Sequence, residues 1–170
     1  MKTLELKEIC GYLPYGLYAK IEVIDEERIY KISSLSSNEV VVLIPIVKGV
    51  TGYSKKDLSD TIPILRPLSD LYKTITHGGK EIIPIVECAK IAYPDAHWHL
   101  SKDGKSAFHA TGYDYIYISY CHNSFSKSNG GIANQYLLFD YLHELKIDYR
   151  GLIDAGLAVS VYDLEENPYK

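Results

Sequence analysis

One stretch near the end of the chain, residues 130–161, constrains the fold more than any other. Apolar side chains recur in it at spacings of three and four, the period of a helix buried along one side. They are Ile132, Tyr136, Leu138, Tyr141, Leu142 and Leu145. Asn129 can cap the start of this helix, because its side-chain oxygen can accept from a free N–H of the first turn. The spacing therefore predicts a helix over residues 130–146.

Two smaller elements are predicted after this helix. Asp148 can cap a short helix over residues 149–155, and Gly156 can end it in the left-handed conformation. A closing strand with one buried face is expected next, because apolar residues alternate along it. These residues are Leu157, Val159 and Val161.

The first part of the chain has the pattern of a small sheet. A short helix is predicted over residues 3–11, followed by an antiparallel meander of three strands over residues 18–47, rich in alternating and β-branched residues. The polar segment 49–60 is expected to form a loop. Pro84 is suited to open a helix over residues 84–92.

A second β-rich region precedes the long helix. Residues 97–100 and 107–120 are predicted to be antiparallel strands, joined by a turn over residues 101–106. In the longer strand the odd-numbered tyrosines share one face and Ile116, Ile118 and Tyr120 share the other. The Ser/Asn/Gly-rich segment 121–131 is expected to be a loop.

These elements predict a single α+β domain over residues 1–170. It has an N-terminal helix and an antiparallel β-meander, then short helices and a β-hairpin packed by a C-terminal helix and a closing strand. A division into two subdomains near residue 60 is the alternative. A chain of 170 residues can bury a sizeable core without disulfides or metals.

Composition and charge limit the classes of function. The net charge is −4 and no cluster of Lys or Arg stands out, which argues against duplex nucleic acid as a partner. Three scattered cysteines without a C-x-x-C pair, and an N-terminal segment unlike a signal peptide, favour a reducing cytoplasm. The longest apolar run, residues 40–47, is too short to span a bilayer, so no membrane association is expected.

Tyrosine supplies the first candidate site. The chain has 16 Tyr against 3 Phe and 1 Trp. Tyr113, Tyr115 and Tyr117 form a predicted ladder that could stack against bases, sugars or the side chains of a partner. The alternative is the solvent face of an ordinary antiparallel sheet, where Tyr is also common.

Histidine supplies a second candidate, a metal site. His97 and His99 are two residues apart on a predicted strand, so both rings should leave from one face. His109 or His122 could join them by strand pairing and complete a zinc site. The alternative is that these rings only bond to the sheet or face solvent.

Three further patterns carry less information. Asp140, His143 and Glu144 share one side of the long helix and could bind a cation, although no second helix offers matching ligands. The segment 124–131, ahead of that helix, resembles an anion-binding loop in composition alone. Cys121 and His122 are adjacent, but neighbours on a strand point to opposite faces, so a nucleophile–base pair is not expected.

Three blocks of sequence resemble a known group of proteins: ICGYLPYGL near the start, ILRPLSDL in the middle and FDYLHELKIDYRGLIDAGLAVSV at the end. The group comprises small proteins encoded by phages, prophages and other mobile elements of gut bacteria. The resemblance covers nearly the full chain and implies a mobile-element origin and a cytoplasmic setting in the host. It implies no activity, cofactor or catalytic residue.

Three hypotheses of function follow. The first is a small non-enzymatic protein, phage-derived, that binds another protein or assembles with itself, and that needs no cofactor. The second is a metal-dependent enzyme using His97, His99 and a third ligand such as His109. The third is a protein that binds single-stranded nucleic acid through the tyrosine ladder.

Overall fold

The computed structural model describes residues 3–23, 26–46, 52–112 and 115–169. Its helices are α1 (Leu6–Ile9), α2 (Pro84–Ala92) and α3 (Gln135–Leu145). Its strands are β1 (Tyr18–Val23), β2 (Glu26–Leu35), β3 (Val40–Pro45), β4 (Ser54–Asp57), β5 (Ile62–Leu65), β6 (Ile75–His77), β7 (Lys80–Ile82), β8 (His99–Leu100), β9 (Ala107–Ala110), β10 (Tyr115–Cys121), β11 (Ser124–Lys127), β12 (Gly130–Gly131) and β13 (Val159–Ser160). Short 3-10 helices lie at Cys10–Tyr15, Leu58–Asp60, Leu68–Tyr72 and Val161–Asp163.

The chain forms two compact units. The first contains residues 1–67 and 150–168, and the second contains residues 68–149 with 169–170. The α+β class and the antiparallel meander predicted from the sequence are confirmed.

The first unit is built on a six-stranded sheet with the order β13-β5-β1-β2-β3-β4. β1, β2 and β3 are the predicted meander; among the described strands of this sheet, β13 and β5 pair in parallel and the other pairs are antiparallel. Alternating side chains of these strands form the buried face: Ala19, Ile21, Ile32, Val41 and Leu43. Alternation of this kind predicted β1 and β2 from the sequence, whereas β3 was predicted from its run of β-branched residues.

Three expectations for the first unit are corrected by the structure. The predicted loop at residues 49–60 contains β4, an edge strand whose Lys55 and Lys56 protect the sheet from further pairing, so its polar sequence gives no apolar period. The N-terminal helix is only four residues long and continues as a 3-10 helix. The helix predicted over residues 149–155 is a series of turns, because Gly151 is itself left-handed at φ +72°.

The second unit is built on a five-stranded antiparallel sheet with the order β12-β11-β10-β9-β8. The β6–β7 hairpin and helices α2 and α3 complete it, and α2 has the bounds that the sequence predicts. Its core joins apolar residues of the sheet, such as Ile118 and Phe125, to buried residues of both helices. The rings of Phe125 and Phe139, a residue of α3, have centroids 5.6 Å apart.

Two expectations for this sheet were wrong. The single strand predicted over residues 107–120 is a hairpin of β9 and β10, in which Ala110 pairs with Tyr115. The loop predicted over residues 121–131 is also a hairpin, in which Cys121 pairs with Ser124. Its two-residue turn places His122 and Asn123 at φ +51° and +58°, the left-handed pair that a tight antiparallel turn requires.

The long helix begins later than predicted. Asn134 precedes its first residue, whereas the predicted cap Asn129 lies just before β12. Pairing of Gly131 with Ser126 holds residues 130–131 in the sheet. The side-chain oxygen of Gln135 also accepts a hydrogen bond of 3.0 Å from the N–H of Phe125. Cross-strand pairing therefore overrides the helical period of the first turn.

Burial in α3 yields a stability prediction. Leu142 is fully buried in the core of the second unit, whereas Leu137 is 39% exposed on the same helix. We expect Leu142→Ala to lower the free energy of unfolding by about 2–5 kcal/mol, because it leaves a cavity in the core. Leu137→Ala should change it by less than about 1 kcal/mol. Urea unfolding followed by circular dichroism measures both, and equal losses would contradict the assigned packing.

Candidate functional site

The structure places two of the three predicted tyrosines together. Tyr115 and Tyr117 lie on one face of β10 and are 55% and 41% exposed. Their ring centroids are 6.2 Å apart. Tyr113 lies outside the described residues. The prediction that Ile118 and Tyr120 face the other way is confirmed, because both are buried in the core.

A third ring joins the two tyrosines. Phe108 pairs with Tyr117 across β9 and β10. Its ring centroid lies 6.1 Å from that of Tyr115 and 6.2 Å from that of Tyr117. His99 follows from β8, with its ring 5.7 Å from Phe108. Phe108 was not predicted on this face, because residues 107–120 were predicted as one strand. The turn residues Thr111 and Gly112 inside that run were the available signal.

Serine residues continue this face across the sheet. Ser119 pairs with Ser126, and their hydroxyl oxygens are 3.3 Å apart. The hydroxyl of Ser128 accepts a hydrogen bond of 3.4 Å from the N–H of Tyr117. We call this surface the Tyr/Ser face, and define it by Phe108, Tyr115, Tyr117, Ser119 and Ser126. No Asp, Glu, Lys or Arg occupies a described strand position on this face.

A groove of about 620 Å³ runs between the three rings and the loop that joins β8 to β9. The loop is fixed by its own hydrogen bonds. Ser101 accepts one of 3.0 Å from the N–H of Ser106, and its hydroxyl donates to the Asp103 carboxylate. That carboxylate also accepts from the N–H of Lys105 at 3.1 Å. The groove therefore has one aromatic wall and one polar wall that is already ordered.

The Asp103 carboxylate is stabilised in its charged form. The hydroxyl of Ser101, and then the N–H of Lys105, lower the pKa of Asp103 from its usual value. The pKa of Asp103 is lower in the folded protein than in the unfolded chain. The ionised carboxylate therefore stabilises the folded protein at pH values above the unfolded pKa. This stabilisation is lost as the pH falls through the lowered folded pKa.

The histidines predicted to bind metal are not brought together. His99 pairs with Phe108 and so shares its face, whereas His109 is the next residue and points to the opposite face. His109 instead packs against Trp98 at 5.7 Å, and its Nδ1 lies 2.9 Å from the carbonyl oxygen of His97. Among the residues that the structure describes, no three His, Cys, Asp or Glu side chains are arranged to hold a metal ion.

The polar side of α3 does not form one site either. A carboxylate oxygen of Glu144 lies within hydrogen-bonding distance, 3.1 Å, of Nε2 of His77, from the β6–β7 hairpin. His143 makes a hydrogen bond of 2.8 Å with the hydroxyl of Tyr149. Asp140 is exposed. Glu144 and His143 therefore bond to different neighbours instead of converging on one cation.

Cys121 and His122 contact each other, contrary to the prediction from strand alternation. The thiol Sγ lies 3.0 Å from Nδ1 of the imidazole. Alternation of strand side chains does not apply here, because His122 has left the strand and occupies the turn at φ +51°. The thiol is exposed and belongs to the odd-numbered side of β10, beside the Tyr/Ser face.

Comparison with known proteins finds no matching family model, no significant match among curated proteins and none among solved structures. None of the described helices is long and apolar enough to cross a membrane.

The ordered loop yields a titration prediction. We expect the carboxyl resonance of Asp103 to titrate below the usual range for aspartate in an NMR pH series. Ser101→Ala should move that titration towards the usual range, because it removes the main donor to the carboxylate. A titration that is the same in both proteins would show that Ser101 does not hold the loop.

The three cysteines yield a reactivity prediction. Cys121 and Cys10 are exposed and Cys88 is buried, which raises the pKa of the Cys88 thiol. We expect iodoacetamide to modify Cys121 fastest, since the imidazole can accept its proton, and to leave Cys88 intact in the folded protein. Mass spectrometry of timed digests measures the rates.

The matched variant for that experiment is His122→Asn, because Asn tolerates the left-handed turn position. It should lower the rate at Cys121 to that of Cys10. Equal rates at Cys10 and Cys121 in the unmodified chain would contradict the prediction.

Proposed function

We propose that this chain is a non-enzymatic binding protein that contacts a protein partner through the Tyr/Ser face. The observation that carries the proposal is the composition of that face. Three clustered aromatic rings lie beside paired serine hydroxyls, and the described strand positions there include no Asp, Glu, Lys or Arg.

This composition suits a protein interface. Protein interfaces are enriched in Tyr and depleted in charged residues at their centre. In antibody-like binding surfaces Tyr supplies large contact area at a low cost in conformational entropy, while Ser supplies adaptable hydrogen bonds. Tyr115 and Tyr117 are large, exposed and packed against Phe108. Their side chains are therefore already restricted in the folded protein and lose less conformational entropy on binding.

The two other hypotheses have less support. Binding of single-stranded nucleic acid combines stacking rings with a cationic groove along the backbone. Here the groove is lined by Lys102 and by its neighbour Asp103, so the positive charge is offset by a negative one. The metal-dependent enzyme needs a convergent ligand set, and His99 and His109 lie on opposite faces of the sheet. A mobile-element origin and a cytoplasmic setting stay predictions from the resemblance.

A second copy of the chain is the first partner to test. Two copies of one face carry the same charges, so a charged face would repel itself in a symmetric dimer. A neutral face avoids that repulsion.

The proposal predicts that association depends on the two tyrosines. We expect Tyr115→Ala combined with Tyr117→Ala to weaken it by at least about 30-fold, the loss that a hot spot of about 2 kcal/mol implies. Sedimentation equilibrium over a range of concentrations measures this for self-association. Tyr136→Ala is the matched control, because Tyr136 lies on α3 and is 69% exposed.

A photo-crosslinking experiment covers partners other than a second copy. Tyr117, or Tyr136 as a control, is replaced by benzoylphenylalanine, and the protein is irradiated inside the expressing cell. We expect a discrete protein adduct from position 117 only, and its loss when Tyr115 is also changed to Ala. Equal adducts from both positions, or an adduct containing nucleic acid, would reject the proposal.

A further inference from the structure

The second unit contains a cavity of about 360 Å³ on the opposite side of its sheet from the Tyr/Ser face. Its lining comes from the end of α2 and the turn after it, residues 92–96, and from β9, β10 and β11. Its volume lies at the small end of the range for ligand sites, so a small molecule fits better than a peptide.

Aromatic rings form one wall of the cavity. Trp98 is almost fully buried, and its ring lies 6.2 Å from that of Tyr93 and 5.7 Å from that of His109. The indole N–H donates a hydrogen bond of 3.1 Å to the carbonyl oxygen of Tyr93. The indole is therefore fixed in orientation, and it contributes an apolar aromatic part of the lining.

His109 presents a hydrogen-bond acceptor at this wall. Its Nδ1 lies 2.9 Å from the carbonyl oxygen of His97, and a carbonyl oxygen can only accept. The proton of the neutral imidazole therefore resides on Nδ1, which leaves Nε2 with a lone pair. Nε2 has no hydrogen-bond partner among the residues that the structure describes. A ligand with an O–H or N–H group would supply one.

Lys127 gives the cavity a cation. It pairs with Ile118 and so lies on the core side of the sheet, where its Nζ is 5.4 Å above the ring of Tyr93. It makes no ion pair with a residue in the described ranges. Asp95 also lines the cavity, but no ion pair joins it to Lys127. The ammonium group is therefore available to an anionic group on a ligand.

We propose that this cavity binds a small aromatic acid whose ring carries a hydrogen-bond donor. The ring packs against Trp98, the carboxylate contacts Lys127, and the donor contacts Nε2 of His109. This assignment does not depend on the Tyr/Ser face, because it uses the other side of the sheet. The protein would then bind a small ligand on one side of this sheet and a protein partner on the other side.

The probe for this proposal is 4-hydroxybenzoate, and the readout is intrinsic fluorescence. Trp98 is the only tryptophan of the chain, so selective excitation of tryptophan reports on the cavity wall. We expect a saturable change with a dissociation constant on the order of 0.1–1 mM, which is about 0.4–0.5 kcal/mol for each of roughly ten non-hydrogen atoms. Free N-acetyltryptophanamide corrects for absorption by the probe.

Two analogues and three variants assign the contacts. Phenol, which lacks the carboxylate, and Lys127→Met should each weaken binding at least about 10-fold, a loss of about 1.4 kcal/mol. Lys102→Met, in the exposed loop after β8, is the control and should have no effect. Benzoate should bind less tightly than 4-hydroxybenzoate to the unmodified chain, and this difference should vanish in His109→Phe.

Three results would overturn the proposal. The first is a fluorescence change that does not saturate. The second is an affinity for 4-hydroxybenzoate that Lys127→Met leaves unchanged while the variant keeps its circular dichroism spectrum. The third is equal binding of benzoate and 4-hydroxybenzoate by the unmodified chain, since the role of His109 would then be absent.

Discussion

The backbone pairing of β10 with β9 and β11 determines which residues of the second unit are buried and which are exposed. Ile118 pairs with Ala107 on one side and with Lys127 on the other, and Tyr120 pairs with Phe125. Because successive side chains point to opposite faces, a slip by one residue would expose Ile118 and bury Tyr117. The ring centroids of Phe125 and Tyr120 are 5.1 Å apart, and the packing of these two rings opposes such a slip. The Tyr/Ser face and the core thus depend on one register.

The parts of the fold that the sequence predicts are those with an uninterrupted period. β1 and α2 have one, and both were predicted without information from elsewhere in the chain. The hairpin turn at His122 and Asn123 and the pairing of Gly131 with Ser126 were not predictable in this way. Both depend on hydrogen bonds between segments, and local composition favours a loop there. The edge strand β4 was not predicted for a related reason. The charged residues that protect its exposed edge leave no apolar alternation in its sequence.

The candidate site shows the same limit at the level of single residues. Alternation alone predicted that Tyr115 and Tyr117 share a face, and this needs no partner strand. Phe108 could not be assigned to that face without the register that pairs it with Tyr117. The same register places His99 and His109 on opposite faces of the sheet. The spacing of the histidines in the sequence did not determine whether their rings share a face. Residues on one strand are therefore predictable as a set, whereas a site built across strands depends on a pairing that the chain reveals only when folded.

The Tyr/Ser face and the cavity are on opposite sides of the same two strands. Phe108 and His109 are consecutive in β9, and Ile116 lies between Tyr115 and Tyr117 in β10. Both strands are hydrogen-bonded along their length, so a ligand on one side cannot rotate them without breaking the ladder. The two surfaces can therefore be occupied at once with little effect on each other. If a ligand on one surface changed the binding affinity of the other surface, the effect would be equal in both directions. A ligand that shifted the register of these strands would disrupt both surfaces.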